Sequence, residues 1–490
     1  MAPVAVFTPP VVDLGALGPS LILTLAAILV LLLGLLVGER GRGLLVGVSL
    51  VGIVAGLVAA VVGARPGAVS ANDMLVLDGF AAFFGGIILI VAAITLVLAG
   101  DYIARHTVSL GEFYALLLFC CAGMMLVVGA ADLIMILLGI EILSIALYVL
   151  SGFTRGRASA EEAAMKYFLL GAFSLSFLIF GTAFVFGVTR STRLSLIAVA
   201  LAPSAPVALL DNPLLLGGVG LILVGFAFKL SVVPFHMWTP DAYEGAPTPI
   251  TAFMSVATKA AVFAALLRFL TFAVPSLRPE WSAVLWALAV LTMVIGNTAA
   301  VVQTRVKRML AYSSIAQAGY ILVGVIAGDA FGGPAVMFYL LAYAFMNVGA
   351  FAVLMALGEP GDADPEIADL NGLAARQPLL ALAMTVFMLS LAGIPLTAGF
   401  MAKLYVFTSG VRAGYVDLVV VGVLTSALAT FYYLSIIVAM YMRPAEGAAL
   451  PLRVSGALSA LLVVLVVATI ALGVLPAGPL GFAAAAAAIR

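Results

Sequence analysis

Apolar stretches of roughly 20 residues alternate with short polar connections along almost the whole chain, from about residue 18 to about residue 480. Such a stretch is long enough for one helix to cross the hydrocarbon core of a bilayer. We therefore expect an all-α polytopic membrane protein of about fourteen transmembrane helices. The predicted spans are 18–38, 43–63, 78–100, 113–130, 132–153, 161–189, 214–237, 248–273, 281–302, 308–328, 334–357, 378–410, 414–442 and 453–480.

Composition agrees with a membrane protein and excludes several functions. The chain has 490 residues, of which 65% are hydrophobic and 9% charged, whereas a soluble domain has about 25% charged residues. Zero net charge argues against binding to nucleic acid. The two cysteines, Cys120 and Cys121, are fewer than an iron–sulfur cluster normally needs, and two histidines are too few for a bis-histidine haem site. We expect no electron-carrying cofactor in this chain.

The loops after odd-numbered spans hold more Lys and Arg than the loops after even-numbered spans. Basic residues favour the cytoplasmic side. The bias predicts that odd-to-even loops are cytoplasmic and that both termini lie outside.

Lysine and arginine are distributed differently across the predicted spans. An ionisable side chain at the centre of a bilayer costs at least about 2.5 kcal/mol. Arginine stays charged and suits structural ion pairs, whereas burial favours the neutral form of lysine, which can then exchange a proton. All arginines lie in loops or near span ends. The lysines predicted within spans are Lys166, Lys229, Lys259 and Lys403, and they indicate a proton-handling function.

One carboxylate is comparably deep. Glu141 lies about nine residues into its span, and no other acid is so central. A carboxylate on a neighbouring helix can hold a lysine protonated, and its withdrawal lets the lysine release the proton. Lys166, near the start of the next span, is the nearest candidate partner along the chain. A static buried ion pair is the alternative for any single pair.

Two spans are interrupted by a proline close to a lysine. In GFAFKLSVVPFHMWTPD, Pro234 follows Lys229 by five residues and breaks the helical bonding. His236, seven residues after Lys229, is expected about two turns away on the same face. In LSLAGIPLTAGFMAKLYVF, Pro395 loosens the helix before Lys403. Either proline alone is an ordinary feature of membrane helices, but two breaks beside lysines favour a functional role.

The positions of the breaks predict internal symmetry. Broken helices in corresponding places of two halves mark inverted-repeat transporters, and here they are helices seven and twelve. Spans 4–8 and 9–13 are therefore predicted to be two inverted five-helix repeats. The corresponding divisions are 1–112 for the first three helices, 113–273 and 274–442 for the repeats, and 443–490 for the last helix.

Lys229, His236 and Lys259 are expected to form a relay in mid-membrane, with Lys403 continuing it. Lys259 lies about eleven residues into span eight. Arg268, nine residues further on, is expected to extend to the outer surface.

Other polar residues allow two interpretations. Side chains in spans ten and eleven either hold water between titrating groups or form interhelical hydrogen bonds; they are Tyr312, Ser313, Ser314, Gln317, Tyr320 and Asn347. The connection TPDAYEGAPTP, with Asp241 and Glu244, is either a funnel that collects protons or a turn fixed by proline. His106 is expected to be a solvated surface histidine.

Several motifs resemble those of a known family. The stretch GFAFKLSVVPFHMWTPDAYEGAPTPITAFMSVATKAAVFAALLRF resembles the signature of the antiporter-like subunits of respiratory complex I, a family that includes multisubunit cation/proton antiporters and membrane-bound hydrogenases. Within this family, four features are similar to the N-type subunits rather than to the L-type and M-type subunits. They are TPD after Trp238, RMLAYSSIAQAGYIL, the lysine at position 403 and the end of the chain after span fourteen. The resemblance covers nearly the whole chain.

The resemblance implies a role for each ionisable residue in the spans. Glu141 and Lys166 correspond to a glutamate and a lysine of spans five and six, and Lys229 to the lysine of span seven. His236 and Lys259 would connect these to Lys403, the residue on the exit side.

The resemblance also implies a biological setting. It predicts a proton-translocating membrane-arm subunit of NADH-quinone oxidoreductase in the bacterial inner (plasma) membrane, beside other membrane-arm subunits. The chain would be part of an enzyme and have no redox centre, with NADH, FMN, Fe–S clusters and quinone in partner subunits. The alternatives are a subunit of a multisubunit cation/proton antiporter and a structural scaffold.

Overall fold

The structure, a computed structural model, describes residues 12–37, 41–65, 67–71, 73–103, 110–154, 156–202, 207–328, 330–357, 364–445 and 455–487. His106 lies outside these residues. The α-helices, numbered in chain order, are α1 Leu14–Val37, α2 Arg42–Gly63, α3 Gly79–Ile103, α4 Leu110–Gly129, α5 Leu133–Ser151, α6 Ala158–Thr189, α7 Leu194–Ala200, α8 Val207–Leu210, α9 Pro213–Lys229, α10 Trp238–Gly245, α11 Thr248–Phe253, α12 Lys259–Arg268, α13 Arg278–Val301, α14 Val306–Ala327, α15 Gly332–Ala356, α16 Leu373–Arg376, α17 Pro378–Ala392, α18 Ala398–Arg412, α19 Val416–Met442, α20 Gly456–Val474 and α21 Ala477–Ala486.

The remaining regular elements are short. Two π-helical stretches, Met254–Thr258 and Phe269–Ala273, flank α12, and 3-10 turns occupy Pro275–Leu277 and Ile367–Leu370. Between α2 and α3, strand β1 (Val69–Ser70) pairs antiparallel with β2 (Leu75–Val76).

The predicted all-α membrane fold is confirmed. Among the described residues, twelve helical segments are long and apolar enough to cross a membrane. Spans seven and twelve complete the predicted set: α9 and the unwound residues 230–237 form span seven, and α17 and α18 are the two halves of span twelve. The described part of the last predicted span, from residue 455 to 480, instead contains α20 and the start of a separate helix, α21, which packs against α3 and α15.

The centre of the bundle is formed by segments without an outward face. In Thr248–Ala273 every residue of the most apolar window is buried, and α14 and α15 are almost as fully enclosed. By contrast, only about a third of the corresponding window is buried in α1, α2, α6, α19 and α20, and these helices turn large apolar side chains outward. Polar groups of the central segments are therefore surrounded by protein.

The break in span seven satisfies its own backbone groups. Helix α9 ends at Lys229. The Val233 amide donates to Thr292 Oγ1 of α13 at 3.0 Å, and the Trp238 indole donates to the Phe228 carbonyl at 3.0 Å. Because these side chains replace helical hydrogen bonds, an unwound segment can persist at membrane depth.

The break in span twelve depends on glycine. Gly393 ends α17 with φ 87°, a left-handed conformation that glycine adopts readily. The Ile394 amide returns to the Leu389 carbonyl at 3.0 Å. At the start of α18 the Gly399 amide donates to Ser390 Oγ at 3.0 Å. The end of α17 is thus fixed in place rather than merely loosened.

Candidate functional site

Lys229 lies among aromatic rings at the end of α9. The residue is 4% exposed, and its Nζ lies 5.2 and 5.1 Å from the ring centroids of Tyr148 and Tyr167. Nζ donates to the Tyr148 hydroxyl at 3.4 Å. Among the described residues no carboxylate forms an ion pair with it. Ring faces attract a cation, so the rings offset part of the cost of burying a charged lysine without holding it in a fixed ion pair.

Glu141 lies on the side of α5 that carries Tyr148. The two residues are seven apart, or two helical turns. Glu141 is half-buried and interacts electrostatically with both Lys229 and Tyr148. Within the described part of the chain its carboxylate has no ion-pair partner. Tyr148 was not predicted as a site residue, although its spacing from Glu141 was a usable signal.

The predicted pairing of Lys166 with Glu141 is wrong. Lys166 Nζ instead lies 2.6 Å from Asp241 Oδ2 and 2.5 Å from Glu162 Oε1, and its side chain is 42% exposed. Glu162 lies four residues earlier on α6, so the two side chains share a face. Lys166 therefore belongs to a charged cluster near the beginning of α6, away from the buried lysines.

That cluster includes both acids of the connection after span seven. Arg308 Nη1 lies 2.8 Å from Asp241 Oδ1 and 2.7 Å from Glu244 Oε2, and Arg305 Nη1 lies 2.5 Å from Glu244 Oε1. Burial acts to raise the pKa of Asp241 and of Glu244. Hydrogen bonds from Lys166 and Arg308 to Asp241, and from Arg308 and Arg305 to Glu244, outweigh burial and hold each pKa below its ordinary value. The arrangement favours an anchored turn over a funnel of free acids.

His236 does not lie on a continuous helical face with Lys229. Helix α9 ends at Lys229, so the helical spacing on which that prediction depended stops there. His236 is half-buried and the adjacent Met237 is 70% exposed. Within the described residues no side-chain hydrogen bond joins His236 to Lys229 or Lys259.

Lys259 is held by neutral partners in the centre of the bundle. It is 1% exposed and begins α12, directly after the π-helical stretch Met254–Thr258. Its Nζ donates to Ser314 Oγ at 2.6 Å and also to the Ser314 carbonyl. Single π-helical turns inside α-helices are frequent at functional sites. The predicted position of Lys259 in mid-span agrees with this burial.

Lys403 caps the broken end of α17. It is 5% exposed, and its Nζ donates to the carbonyls of Leu391 at 3.0 Å and Ala392 at 2.9 Å and to Ser426 Oγ at 2.8 Å. Carbonyls at a helix C-terminus carry partial negative charge. Nζ also lies 5.0 Å from the Tyr320 ring centroid. Lys403 thus has hydrogen-bond partners for its charged form but no paired carboxylate in the described residues.

The prediction that Arg268 extends to the outer surface is wrong. Arg268 is 1% exposed, and its Nη1 and Nη2 each lie 3.0 Å from an oxygen of Asp78. The guanidinium also lies 5.1 Å from the Phe80 ring centroid, and Nη2 contacts the Val128 carbonyl. Asp78 was not identified from the sequence because it is 190 positions from Arg268.

Sequence comparison identifies a family. A model of the transmembrane region of the NADH:quinone oxidoreductase/Mrp antiporter family matches residues 130–429. NADH-quinone oxidoreductase subunit N of Trichlorobacter lovleyi is 47% identical, with 96% of each chain covered. Subunit N of Chloroflexus aggregans is 46% identical over the same share of each chain.

Solved structures of other proteins share the fold of this chain. A chain of respiratory complex I from Thermus thermophilus superposes with a TM-score of 0.80 at 36% identity, covering 95% of this chain and 99% of that one. A chain of the Mrp complex from Dietzia sp. superposes with a TM-score of 0.82 at 24% identity, covering 96% and 97%. The second likeness shows the fold alone.

Proposed function

This chain belongs to the family of NADH-quinone oxidoreductase subunit N, and we propose that it moves protons across the membrane through three buried lysines, Lys229, Lys259 and Lys403. The observation that carries the proposal is their shared environment. Each is at most 5% exposed, and none is ion-paired with a carboxylate among the described residues. Neutral hydroxyls, carbonyls and rings surround them instead. A lysine in such surroundings can be charged or neutral, as proton transfer requires.

Glu141 is proposed as the group that controls Lys229. Its carboxylate is near enough to act on Lys229 electrostatically but does not form a fixed pair with it. A change in position or charge at Glu141 would alter how tightly Lys229 holds its proton. Electron transfer in partner subunits would supply that change. His236 keeps its proposed role as a connection between Lys229 and Lys259, in which water would have to bridge the distances.

Lys166 is proposed to anchor the connection after the break in span seven. Its contacts with Asp241 and Glu162 support a positioning role. A proton-carrying role for Lys166, as the family resemblance implies, would require it to leave both carboxylates.

The setting of the chain is also part of the proposal. The chain is a multi-pass membrane protein, and we place it in the bacterial plasma membrane with both termini outside. Apolar side chains on the outward faces of α5 and α6 suit lipid or neighbouring membrane-arm subunits. NADH, FMN, Fe–S clusters and quinone would be bound by partner subunits. We also retain the two inverted repeats, residues 113–273 and 274–442, since each half has a broken span beside a buried lysine.

The experiment uses the intact complex in proteoliposomes and measures protons taken up per NADH oxidised. Lys229→Ala and Glu141→Ala are expected to assemble and to pump fewer protons per NADH than wild type. Lys166→Ala is the matched control, because it removes a lysine of the exposed cluster, and it should lower the ratio less than Lys229→Ala. An unchanged ratio in Lys229→Ala would favour the scaffold alternative. Sodium-dependent proton exchange without NADH would favour the antiporter alternative.

A further inference from the structure

A hydrogen-bonded group of neutral side chains, which the proposed function does not use, lies between the hydrogen-bond partners of Lys259 and Lys403. The group consists of Ser313 and Gln317 of α14, Tyr339 of α15 and Tyr433 of α19, each at most 1% exposed. Buried polar groups in a membrane protein are costly unless they are satisfied. Their concentration between two buried lysines therefore indicates a function.

The first connection starts from adjacent serines. Ser314 accepts a hydrogen bond from Lys259 Nζ at 2.6 Å. The preceding residue, Ser313, shares a hydrogen bond of 2.5 Å with the Tyr433 hydroxyl. One peptide unit therefore separates the partner of Lys259 from the partner of Tyr433.

The second connection converges on one backbone atom. Gln317 Nε2 donates to the Tyr433 hydroxyl at 3.2 Å and to the Leu391 carbonyl at 3.3 Å. The same carbonyl accepts a hydrogen bond from Lys403 Nζ at 3.0 Å. The Tyr339 hydroxyl donates to Gln317 Oε1, and the amide nitrogen faces the Leu391 carbonyl because a carbonyl only accepts hydrogen bonds. Tyr433 is thus held between the serine beside Lys259 and the amide beside Lys403.

The chemistry of these groups separates their roles. A hydroxyl both donates and accepts, so it can take a proton at its oxygen and release its own proton to the next acceptor while staying neutral overall. A glutamine amide carries protons poorly because its nitrogen is only a donor, but it orients its neighbours well. Tyr433 and Ser313 can therefore relay protons, and Gln317 can hold Tyr433 in place.

We propose, on the basis of the proposed function, that the Tyr433 hydroxyl relays protons between Lys259 and Lys403, with Ser313 as its partner towards Lys259 and Gln317 as a positioning residue. Each transfer leaves the tyrosine neutral: one proton arrives at its oxygen as another departs to a water molecule, which would carry it to the Lys403 amine, because Gln317 only donates to the tyrosine. The relay requires no oxidant, reductant or bound ion.

The chain supplies a matched control in the adjacent tyrosine. Tyr432 is also buried, and its ring centroid lies 4.4 Å from that of Tyr433. Its hydroxyl donates to Asn297 Oδ1 at 3.0 Å and interacts with Ser313 and Tyr433, but among the described residues no hydrogen bond joins it to Gln317. Tyr432→Phe and Tyr433→Phe remove the same atom from neighbouring positions, so a general loss of packing would affect both.

The test compares protons pumped per NADH in proteoliposomes for Tyr433→Phe, Tyr432→Phe and Lys403→Ala, after assembly is checked on native gels. Tyr433→Phe should lower the ratio about as much as Lys403→Ala, and Tyr432→Phe should lower it less than Tyr433→Phe. Solvent deuterium should slow turnover of wild type more than of Tyr433→Phe, a readout that a purely structural role would not move. A wild-type ratio in Tyr433→Phe, with a reduced ratio in Lys403→Ala, would overturn the relay and leave the proposed function standing.

A second variant keeps the test decisive if Tyr433→Phe does not assemble. Ser313→Ala removes the hydroxyl that faces Tyr433 and is expected to lower the ratio as well. A wild-type ratio in Ser313→Ala would overturn the relay in that case. Wild-type pumping in both Lys403→Ala and Lys259→Ala would overturn the proposed function, and this inference with it.

Discussion

The buried pair of Asp78 and Arg268 gives the sharpest stability prediction. Asp78→Asn removes the negative charge but keeps an oxygen that can cap α3, where the wild-type carboxylate accepts from the Ala81 amide at 2.8 Å. The variant therefore isolates the ion pair from the helix cap. Arg268 stays charged, because a guanidinium is not deprotonated in proteins. We expect a large loss of stability.

The magnitude follows from burial. Removing one partner of a buried ion pair costs about 3–5 kcal/mol. Arg268 keeps its contact with the Val128 carbonyl and the Phe80 ring, which favours the lower end, about 3 kcal/mol. That corresponds to about a hundredfold change in an equilibrium constant. The exposed pair of Asp73 and Arg193, 4.0 Å apart, should contribute under about 1 kcal/mol.

The assay is thermal dissociation of this subunit from the purified complex, with Asp73→Asn as the matched control. Asp78→Asn should dissociate at a clearly lower temperature than wild type, and Asp73→Asn should not. Adding Arg268→Met to Asp78→Asn should restore much of the loss, because replacing both charges avoids an isolated buried cation. Equal dissociation temperatures for Asp78→Asn and Asp73→Asn would refute the reasoning.

Three further predictions concern other parts of the molecule. Gly393→Ala should impair pumping more than Gly414→Ala. Both glycines have a positive φ, but a Cβ at Gly393 would lie 3.0 Å from Lys403 Cδ, whereas a Cβ at Gly414 would meet open space. Equal effects of the two substitutions on pumping would contradict the role of this contact. Lys166→Met should lower the thermal stability of the complex, since it removes a cation shared by two carboxylates, and unchanged stability would contradict the anchoring role. Burial raises the pKa of Asp364 to about 6. The wild-type protein should therefore lose up to about 2 kcal/mol of stability relative to Asp364→Asn as the pH rises from 4 to 7. A stability difference between the two proteins that does not change with pH would contradict this prediction.

Most of the fold could be predicted because hydropathy determines where a chain crosses a membrane. The breaks in spans seven and twelve were also predictable, since proline removes a backbone donor and both prolines lie close to a lysine. Helix α21 was not separated from the preceding span, because the sequence remains rich in alanine and glycine there and shows no change in polarity. The hairpin of β1 and β2 was missed because two-residue strands give no periodic signal.

The burial of the site residues could largely be predicted from the sequence, but their hydrogen-bond and ion-pair partners could be predicted less well. Lys229, Lys259 and Lys403 are central in their spans, so depth alone predicted that they are enclosed. Lys166 lies near a span start, where a shift of a few residues decides between membrane core and rim. Arg268 was assigned from its distance along the helix, whereas its environment depends on a carboxylate from a distant segment. Such pairings depend on how helices pack, which a single sequence does not reveal.

The central claim is that Lys229 works by releasing and regaining a proton rather than by carrying a fixed charge. Lys229→Arg tests it most directly, because arginine keeps the charge but does not give up its proton. The measurement is protons pumped per NADH by the assembled complex in proteoliposomes. We predict that Lys229→Arg assembles and lowers the ratio as much as Lys229→Ala. A wild-type ratio in Lys229→Arg would contradict the account, since a permanent charge would then be enough.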